Sequence, residues 1–433
     1  MPTGRKAPHT AAHFHAALQE SSCQSTAMTW TTAQRNVVIA AYLGWTLDAF
    51  DFFLMVFMFK DISVELHSSR QVVVTAVFLT LATRPVGAFL FGRLGDRFGR
   101  KPALMWNILA YSLLEVASGF APSMTTLLIV RALFGIAMGG EWGLGSALAM
   151  ESIPASARGA VSGLLQVGYP SGYFLASLAV YLFYDRLGWR YMFVLGAVPA
   201  VLVFFIRMAI EESPAWKIQK SAPRASVLAV LSREWRLAVY AIVLMAAFNF
   251  FSHGSQDSYP NFLREQHHFD THLTALLTAI GNVGAICGGL FFGALSEKLG
   301  RRRSIVIAAL LALPALPFWA FASTPLILGA GAFLMQIAVQ GAWGVIPAHL
   351  NELSPPEIRA TFPGVVYQLG NLLAAINLNL QLMIADAHGN NYGLAMAIVV
   401  GCVALIITLM VLFGPEKRGI SMACASEPRE LVG

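Results

Sequence analysis

The run from Met396 to Phe413 carries no charged residue, and similar runs recur at Leu104 to Leu114, Met192 to Ile206, Val239 to Phe248 and Ile305 to Ala322. Inside hydrocarbon every backbone N–H and C=O needs a partner within the protein, so only helices and closed barrels span a bilayer. The longest of these runs, Met396 to Phe413 and Ile305 to Ala322, approach the roughly 20 residues of a spanning helix, about twice what a spanning strand needs, and so select the helix. The rest of the chain agrees: 57% of its 433 residues are hydrophobic and only 12% are charged, against about 25% charged in a soluble domain.

An all-α integral membrane protein is therefore expected, with twelve transmembrane helices in two six-helix halves. The spans are placed near 37–59, 72–92, 102–121, 125–148, 159–183, 189–210, 237–262, 272–294, 304–322, 326–348, 360–385 and 392–413. This divides the chain into a disordered cytoplasmic tail (1–34), an N-terminal bundle (35–210), a cytoplasmic linker (211–236), a C-terminal bundle (237–414) and a second cytoplasmic tail (415–433). The linker, with Glu211, Glu212, Pro214, Lys217, Lys220, Pro223 and Arg224, is too short for a separate domain.

The net charge of +6 reflects topology. With both termini in the cytoplasm, about 22 of the 29 Lys and Arg fall in or beside cytoplasmic segments, as the positive-inside rule asks. That orientation places the chain as a multi-pass protein of the inner (plasma) membrane and gives no reason to expect a nucleic-acid partner. No metal or cofactor is expected either. His9, His13 and His15 have no accompanying Cys or carboxylate cluster, and Cys23, Cys287, Cys402 and Cys424 show no paired ligand spacing. The first segment also lacks the long apolar core of a cleaved signal peptide.

The loop after span 2, Gly92 to Lys101, reads G-R-L-G-D-R-F-G-R-K, and the loop after span 8, Gly293 to Arg302, reads G-A-L-S-E-K-L-G-R-R. Gly293 lies 201 residues after Gly92, and the same offset relates Trp142–Gly143 to Trp343–Gly344, Glu151 to Glu352, Pro154 to Pro355, Arg158 to Arg359 and Gly163 to Gly364. A six-span internal repeat is the mark of carriers that rock two halves about a central site. The first loop resembles the major facilitator signature GxLxDxxGRK, and the second matches it with Glu297 for the aspartate and Arg302 for the lysine. The resemblance implies that Asp96, Arg100, Glu297 and Arg301 are gating residues that lock the bundles together on the cytoplasmic side.

Ionisable residues inside spans are expensive and mark sites. Asp48 and Asp51 lie three apart in span 1, Arg84 midway along span 2, Arg131 in the outer part of span 4, and His253 and Asp257 in span 7. At about 100° per residue, Asn249, Ser252, His253, Gln256 and Asp257 fall in one stripe. Gln166, Tyr169 and Tyr173 in span 5, Gln336, Gln340 and Trp343 in span 10, and Tyr367, Gln368 and Asn371 in span 11 repeat the pattern. Such polar residues also serve as interhelical glue, at about 0.6 kcal/mol for an average bond. Arg131 alternatively neutralises Glu115 or a span 1 aspartate.

The string Asn249 to Asp257 matches NxxSHxSQD, the pattern of the sialate and monocarboxylate proton symporters, a major facilitator group whose fungal members are lactate and pyruvate permeases. Trp45 to Phe53 (W-T-L-D-A-F-D-F-F), Gly139 to Gly143 (G-G-E-W-G), Gln166 to Tyr169 (Q-V-G-Y) and Tyr367 to Asn371 (Y-Q-L-G-N) are similar to the same group. The pattern normally continues to a threonine, where this chain has Asn261. The resemblance implies that Asn249, His253 and Asp257 are needed for transport, that Gln256 touches substrate, and that Arg84 and Gln368 contribute to recognition. The sialate carriers of the group have extra hydrophobic segments between the halves, so the short linker here points to a small monocarboxylate.

The expected function is proton-coupled uptake of a lactate- or pyruvate-like anion by alternating access, in a monomer embedded in the lipid bilayer. Arg84, Arg131, Gln166, Asn249, Gln256, Gln340, Tyr367 and Gln368 would bind substrate, and the proton would ride on Asp48, Asp51, His253 or Asp257. The alternatives are a carrier of another organic acid (sialate or an aromatic acid), a proton-driven exporter, a sensor that carries nothing, and a membrane enzyme using His, Asp and Arg in acid–base chemistry. Neither an HExxH helix nor a GxSxG turn supports the enzyme.

Overall fold

The first span starts at a local signal in the sequence. Thr31 Oγ1 accepts from Gln34 N at 3.2 Å while Gln34 Oε1 accepts from Thr31 N at 3.1 Å, a reciprocal capping box that satisfies two free helix-end donors. Helix α1 therefore runs Thr32–Phe57, and the end of the segment expected as a tail belongs to the first bundle. The computed structural model describes residues 30–220 and 226–422; His9, His13, His15, Cys23, Pro223, Arg224 and Cys424 lie outside the described residues.

Among the described residues all regular structure is helical. The N-terminal half continues with α2 (Arg70–Phe98), α3 (Arg100–Gly119) and α4, whose Met124–Met138 and Glu141–Ser152 segments meet at Gly139 and Gly140. The stretch Arg158–Ala209 bends at Gly188, where φ is 67°, into α5 (158–187) and α6 (189–209). Both of its ends lie on one face of the molecule: Arg158 bonds Met150 O, and Glu212, just past α6, accepts from Arg100 N and Lys101 N. The C-terminal half comprises α7 (Trp235–Gln256, extended by Tyr259–Asn261 and a wide turn at Phe262–Gln266), α8 (Thr271–Leu299) and α9 (Arg301–Ala320). It ends with α10 (Pro325–Trp343, then Ile346–Leu353), α11 (Thr361–Ala374, then Asn377–Ala387) and α12 (Tyr392–Phe413).

Nine of the described helical stretches are long and apolar enough to cross a membrane. One of them, residues 155–209, is the bent pair α5 and α6, and α3 and α11 complete the twelve-helix, two-half architecture of an integral membrane protein. Phe78, Leu113, Tyr181, Phe205, Leu326 and Phe413 stand exposed on the outside, a surface that suits lipid and that a soluble monomer avoids.

The two repeat loops meet on one face, referred to below as the motif face. Gly99 and Gly300, at φ 114° and 96°, are the N-caps of α3 and α9; only glycine takes that backbone without strain. Each turn presents its acid to the other half. Asp96 accepts from Ala360 N at 2.9 Å, Thr361 N at 3.1 Å and Thr361 Oγ1 at 2.5 Å, and Glu297 accepts from Gly159 N.

Behind the acids lies a crossed lattice. Arg100 holds Glu151 through two bonds of 3.0 and 2.9 Å, and its repeat mate Arg301 holds Glu352 through two of 3.0 Å. Arg158 then approaches Glu352 at 3.8 Å from the N-terminal half, and Arg359 approaches Glu151 at 3.9 Å from the C-terminal half. The linker and the chain end reinforce the same face. Trp216 donates to Asp96 O and Gln219 to Pro356 O, while Glu416 accepts from Arg301 N, Arg418 donates to Glu297 O, and Ile420 O accepts from Arg158. Residues 415–422, part of the segment expected as a cytoplasmic tail, lie along this face as a largely exposed strap held by these bonds, with Met422 buried mostly against N-terminal core residues.

Close approach of the halves depends on Gly143 and Gly364. A Cβ on Gly143 would lie 2.8 Å from Gly364 Cα and 3.0 Å from its N, both across the interface, so the clash of a larger residue exists only while the motif face is closed. Gly143→Val is expected to shift the molecule toward a form open at this face. With the four native cysteines replaced by serine, a cysteine at the buried cross-half position Ser162 should react with a maleimide at least about tenfold faster when Gly143→Val is added, a population shift of about 1.4 kcal/mol. Equal rates would show that the contact does not hold the face shut.

Candidate functional site

Between the halves, on the side of the lattice away from the motif face, lies a cavity of about 440 Å³. Its floor toward the motif face is aromatic. Tyr367 packs on Trp142 with ring centroids 4.6 Å apart, Trp343 meets Tyr367 edge-on at 5.8 Å, and Trp45 meets Tyr367 at 6.3 Å and Trp142 at 6.5 Å. Trp142 and Trp343 are repeat mates, and each indole N–H is spoken for: Trp142 donates to Gln166 Oε1 at 3.2 Å and Trp343 to Phe248 O at 3.1 Å.

The two walls differ chemically. The N-terminal half supplies Arg84 and aromatic side chains, including Phe52, Phe53, Tyr169 and Tyr173. The C-terminal half supplies amides and hydroxyls on α7, α8, α10 and α11, among them Asn249, Ser252, Gln256, Asn282, Gln336, Gln340 and Asn371. Helical spacing explains the second wall: the polar stripe of α7 faces inward as one unit. Gln256 donates to Gln336 Oε1 at 2.9 Å, Gln340 Nε2 donates to Ser252 Oγ at 3.4 Å, and Gln336 Nε2 donates to Ser255 Oγ at 3.2 Å. Asn249 Nδ2 donates to Met245 O at 2.8 Å.

His253 sits between two partners. Its Nδ1 lies 3.1 Å from Asp257 Oδ2 and its Nε2 lies 3.2 Å from Asn371 Oδ1. Both side chains keep over a third of their surface accessible, 36% and 39%, and both line the cavity, so this hydrogen-bonded pair opens onto it.

Of the residues singled out by sequence, Arg84, Gln166, Asn249, His253, Gln256, Asp257, Gln340 and Tyr367 line this cavity. Asp48 sits directly behind Arg84, with Oδ1 2.8 Å from Nη2 in a pair that is almost fully buried. Three others lie elsewhere. Arg131 is enclosed between α3 and α4, bound to Glu115 and to Ser118 Oγ, with Phe134 3.9 Å beneath its guanidinium; the structure takes the ion-pair alternative and gives it no place on the cavity wall. Gln368 is buried without a hydrogen-bond partner among the described residues and does not line the cavity, whereas Asn371 one turn on does. Asp51 is fully buried, neither oxygen partnered among the described residues.

Sequence reasoning assigned no role to Glu151, Glu352, Arg158 and Arg359, although the 201-residue offset had already paired them. It also missed the buried Glu141–Arg207 pair, for which the repeat holds no signal, since the position equivalent to Arg207 is Thr408.

Comparison with known proteins agrees with this architecture. The sequence model of the family described as "Sugar (and other) transporter" matches residues 10–233 and 225–418. The chain is 29% identical to a carboxylic acid transporter protein homolog of Saccharomyces cerevisiae, over 90% of this chain and 69% of that protein. It is 27% identical to the sialic acid transporter NanX of Escherichia coli, over 89% of this chain and 95% of that one. Among solved structures, the major facilitator superfamily proton:xylose symporter XylE bound to 6-bromo-6-deoxy-D-glucose superposes with a TM-score of 0.75 at 20% identity, covering 90% and 98% of the two chains; at that identity the likeness carries the fold alone.

The placement of Arg131 has a direct consequence. Arg131→Met strands the buried Glu115 carboxylate, a change that costs about 3–5 kcal/mol for buried pairs, whereas Arg131→Met with Glu115→Leu removes both charges. The single variant is expected to unfold at clearly lower temperature in detergent and the double variant to recover most of the loss. A single variant as stable as the parent would show that the pair is not a structural tie.

Proposed function

Because the chain belongs to the sugar (and other) transporter family, we propose that it is a proton-coupled carrier that takes up a small monocarboxylate of the lactate or pyruvate type by alternating access. The observation that carries this reading is Arg84, the one permanent cation among the described cavity-lining residues, in a cavity whose other half is lined by amides together with His253 and Asp257. A guanidinium binds a carboxylate through two parallel hydrogen bonds, and Asn249, Gln256 and Gln340 supply donors for a keto or hydroxy oxygen beside it. Asp48, Asp51, His253 and Asp257 are the titratable groups on which a co-transported proton can ride. The chemistry of the relatives supports an organic acid: the two named above are described as carriers of carboxylic and sialic acids.

The motif face lies in the cytoplasm with both chain ends, in the inner (plasma) membrane, and Asp96, Arg100, Glu297 and Arg301 act as its gate. The present form, shut on that face, is then the form that receives substrate from outside. Breaking the crossed lattice opens the cavity inward, and one chain supplies the whole site, so it works as a monomer. The resemblance to symporters likewise favours uptake over a proton-driven exporter.

A second reading, a larger planar or aromatic acid, is favoured by the size of the cavity and its aromatic wall. About 440 Å³ falls in the range of about 300–1,000 Å³ that holds drug-sized ligands, more than a three-carbon acid fills.

Purified protein in vesicles, with the outside acidified and labelled lactate added, is expected to accumulate the label, and Arg84→Gln to reduce the initial rate at least about tenfold. Competition by pyruvate, benzoate, muconate and sialate separates the two readings. Uptake that ignores the pH gradient overturns the coupling, and uptake unaltered by Arg84→Gln overturns the anion site.

A further inference from the structure

Each half is followed by a segment that folds back onto the motif face, and the two segments run alike. After α6, Glu212 accepts from Arg100 N and Lys101 N at the start of α3, and Trp216 donates to Asp96 O. Gln219 then crosses to the other half and donates to Pro356 O at 2.6 Å. After α12, Glu416 accepts from Arg301 N and Arg302 N at the start of α9, and Arg418 donates to Glu297 O. Ile420 O then accepts from Arg158 Nη1 of the other half at 2.7 Å. The difference lies in how each holds the second half. The linker continues into Val227–Arg233 and α7, so it is covalently part of both. The strap is an extension of α12 and grips the N-terminal half by contact.

That contact is built, not incidental. Gly419, at φ 77°, turns the strap just before it meets Arg158, in a backbone that glycine takes without strain. Past the turn the chain is exposed at Ser421 and then dives: Met422 is only 6% exposed. It belongs to an apolar cluster whose other members, Val37, Leu148, Met150, Ile153 and Val161 among them, come almost all from the N-terminal half, and Ile420 packs against the same cluster. Arg158 also reaches across the seam toward Glu352 at 3.8 Å. One guanidinium of the crossed lattice therefore serves the strap as well, and with the shorter bond.

We infer that Ile420 to Met422 form a releasable latch that biases the motif face toward its closed form. The inference rests on the carrier reading above for the two forms it connects. Docked, the latch buries the Met422 side chain in the N-terminal half, and removing that apolar surface from water favours the docked form. Parting of the halves at this face either withdraws Met422 from its cluster or peels Glu416 and Arg418 from the helix ends that they hold, so opening loses contacts that the closed form keeps. The linker stays attached to both halves in either form and cannot act this way. The anchor is a single unbranched side chain that adapts to its surroundings. Undocking it strands no buried charge on the strap, unlike separation of an arginine from its carboxylate. The latch thus adds to the lattice a contribution that can be removed without damage to either bundle.

The test uses full-length protein with its four native cysteines replaced by serine and one reporter cysteine at a time. Ser162→Cys reports the seam, where the native hydroxyl accepts from Ala348 N of the other half at 3.0 Å; Asn282→Cys reports the cavity wall. Met422→Asn is expected to raise the maleimide labelling rate at Ser162→Cys at least about fivefold, a population shift of about 1 kcal/mol. The rate at Asn282→Cys should not rise, because a carrier that opens one face closes the other. Met422→Leu, a swap that nearly conserves volume, should label like the parent at both positions. An unchanged rate at Ser162→Cys in Met422→Asn overturns the latch. So does a rise at both reporters, which marks general loosening instead of movement at one face. Neither rate depends on flux: a parent that accumulates no labelled lactate overturns the carrier reading, while the two labelling rates still decide the latch.

Discussion

An unpaired charge in a low-dielectric interior is among the most expensive things a membrane protein can contain, and this molecule is arranged around that cost. Five of the seven buried arginines among the described residues each hold a carboxylate closely: Arg84 has Asp48, Arg100 has Glu151, Arg131 has Glu115, Arg207 has Glu141 and Arg301 has Glu352. Four of these pairs hold a half together. The fifth, Asp48–Arg84, reaches the cavity through Arg84. A buried pair adds little net stability over an apolar replacement, while removal of one partner is strongly destabilising. The pairs are therefore better understood as constraints on which states the molecule can occupy than as sources of stability.

On the motif face the same constraint joins the two halves. Glu151 and Glu352 each have one arginine from their own half and a second, more distant one from the other half. The short contacts lie within one half, and the contacts near 4 Å cross between the halves. Asp96 and Glu297 act on the same seam through backbone N–H groups of the opposite half. The glycines at 143 and 364 add steric tolerance that applies only in the closed form.

Much of this was legible in one dimension. Apolar runs of bilayer length required helices, and the 201-residue offset placed equivalent residues at equivalent points of two similar bundles, which is why Glu151, Arg158 and their mates appear as a lattice. The polar stripe of α7 followed from helical periodicity, so His253, Gln256 and Asp257 were identified together. The ends of elements were less legible. The strap formed by Glu416, Arg418 and Ile420 looks like any charged terminus, because its order comes from caps and carbonyls supplied by distant helices.

The sequence by itself determined the helices, the repeat and the identity of the costly residues, because these depend on local chemistry: hydropathy over about 20 residues, glycine at positive φ, and the side-chain period. Only the tertiary structure decided which ionisable groups share a cavity. Arg84 and Arg131 are equally conspicuous as cations within spans, yet one faces the cavity and the other is enclosed by Glu115, Ser118 and Phe134. Partner choice depends on how helices far apart in sequence rotate and pack against each other, and neither composition nor spacing within one helix carries that information.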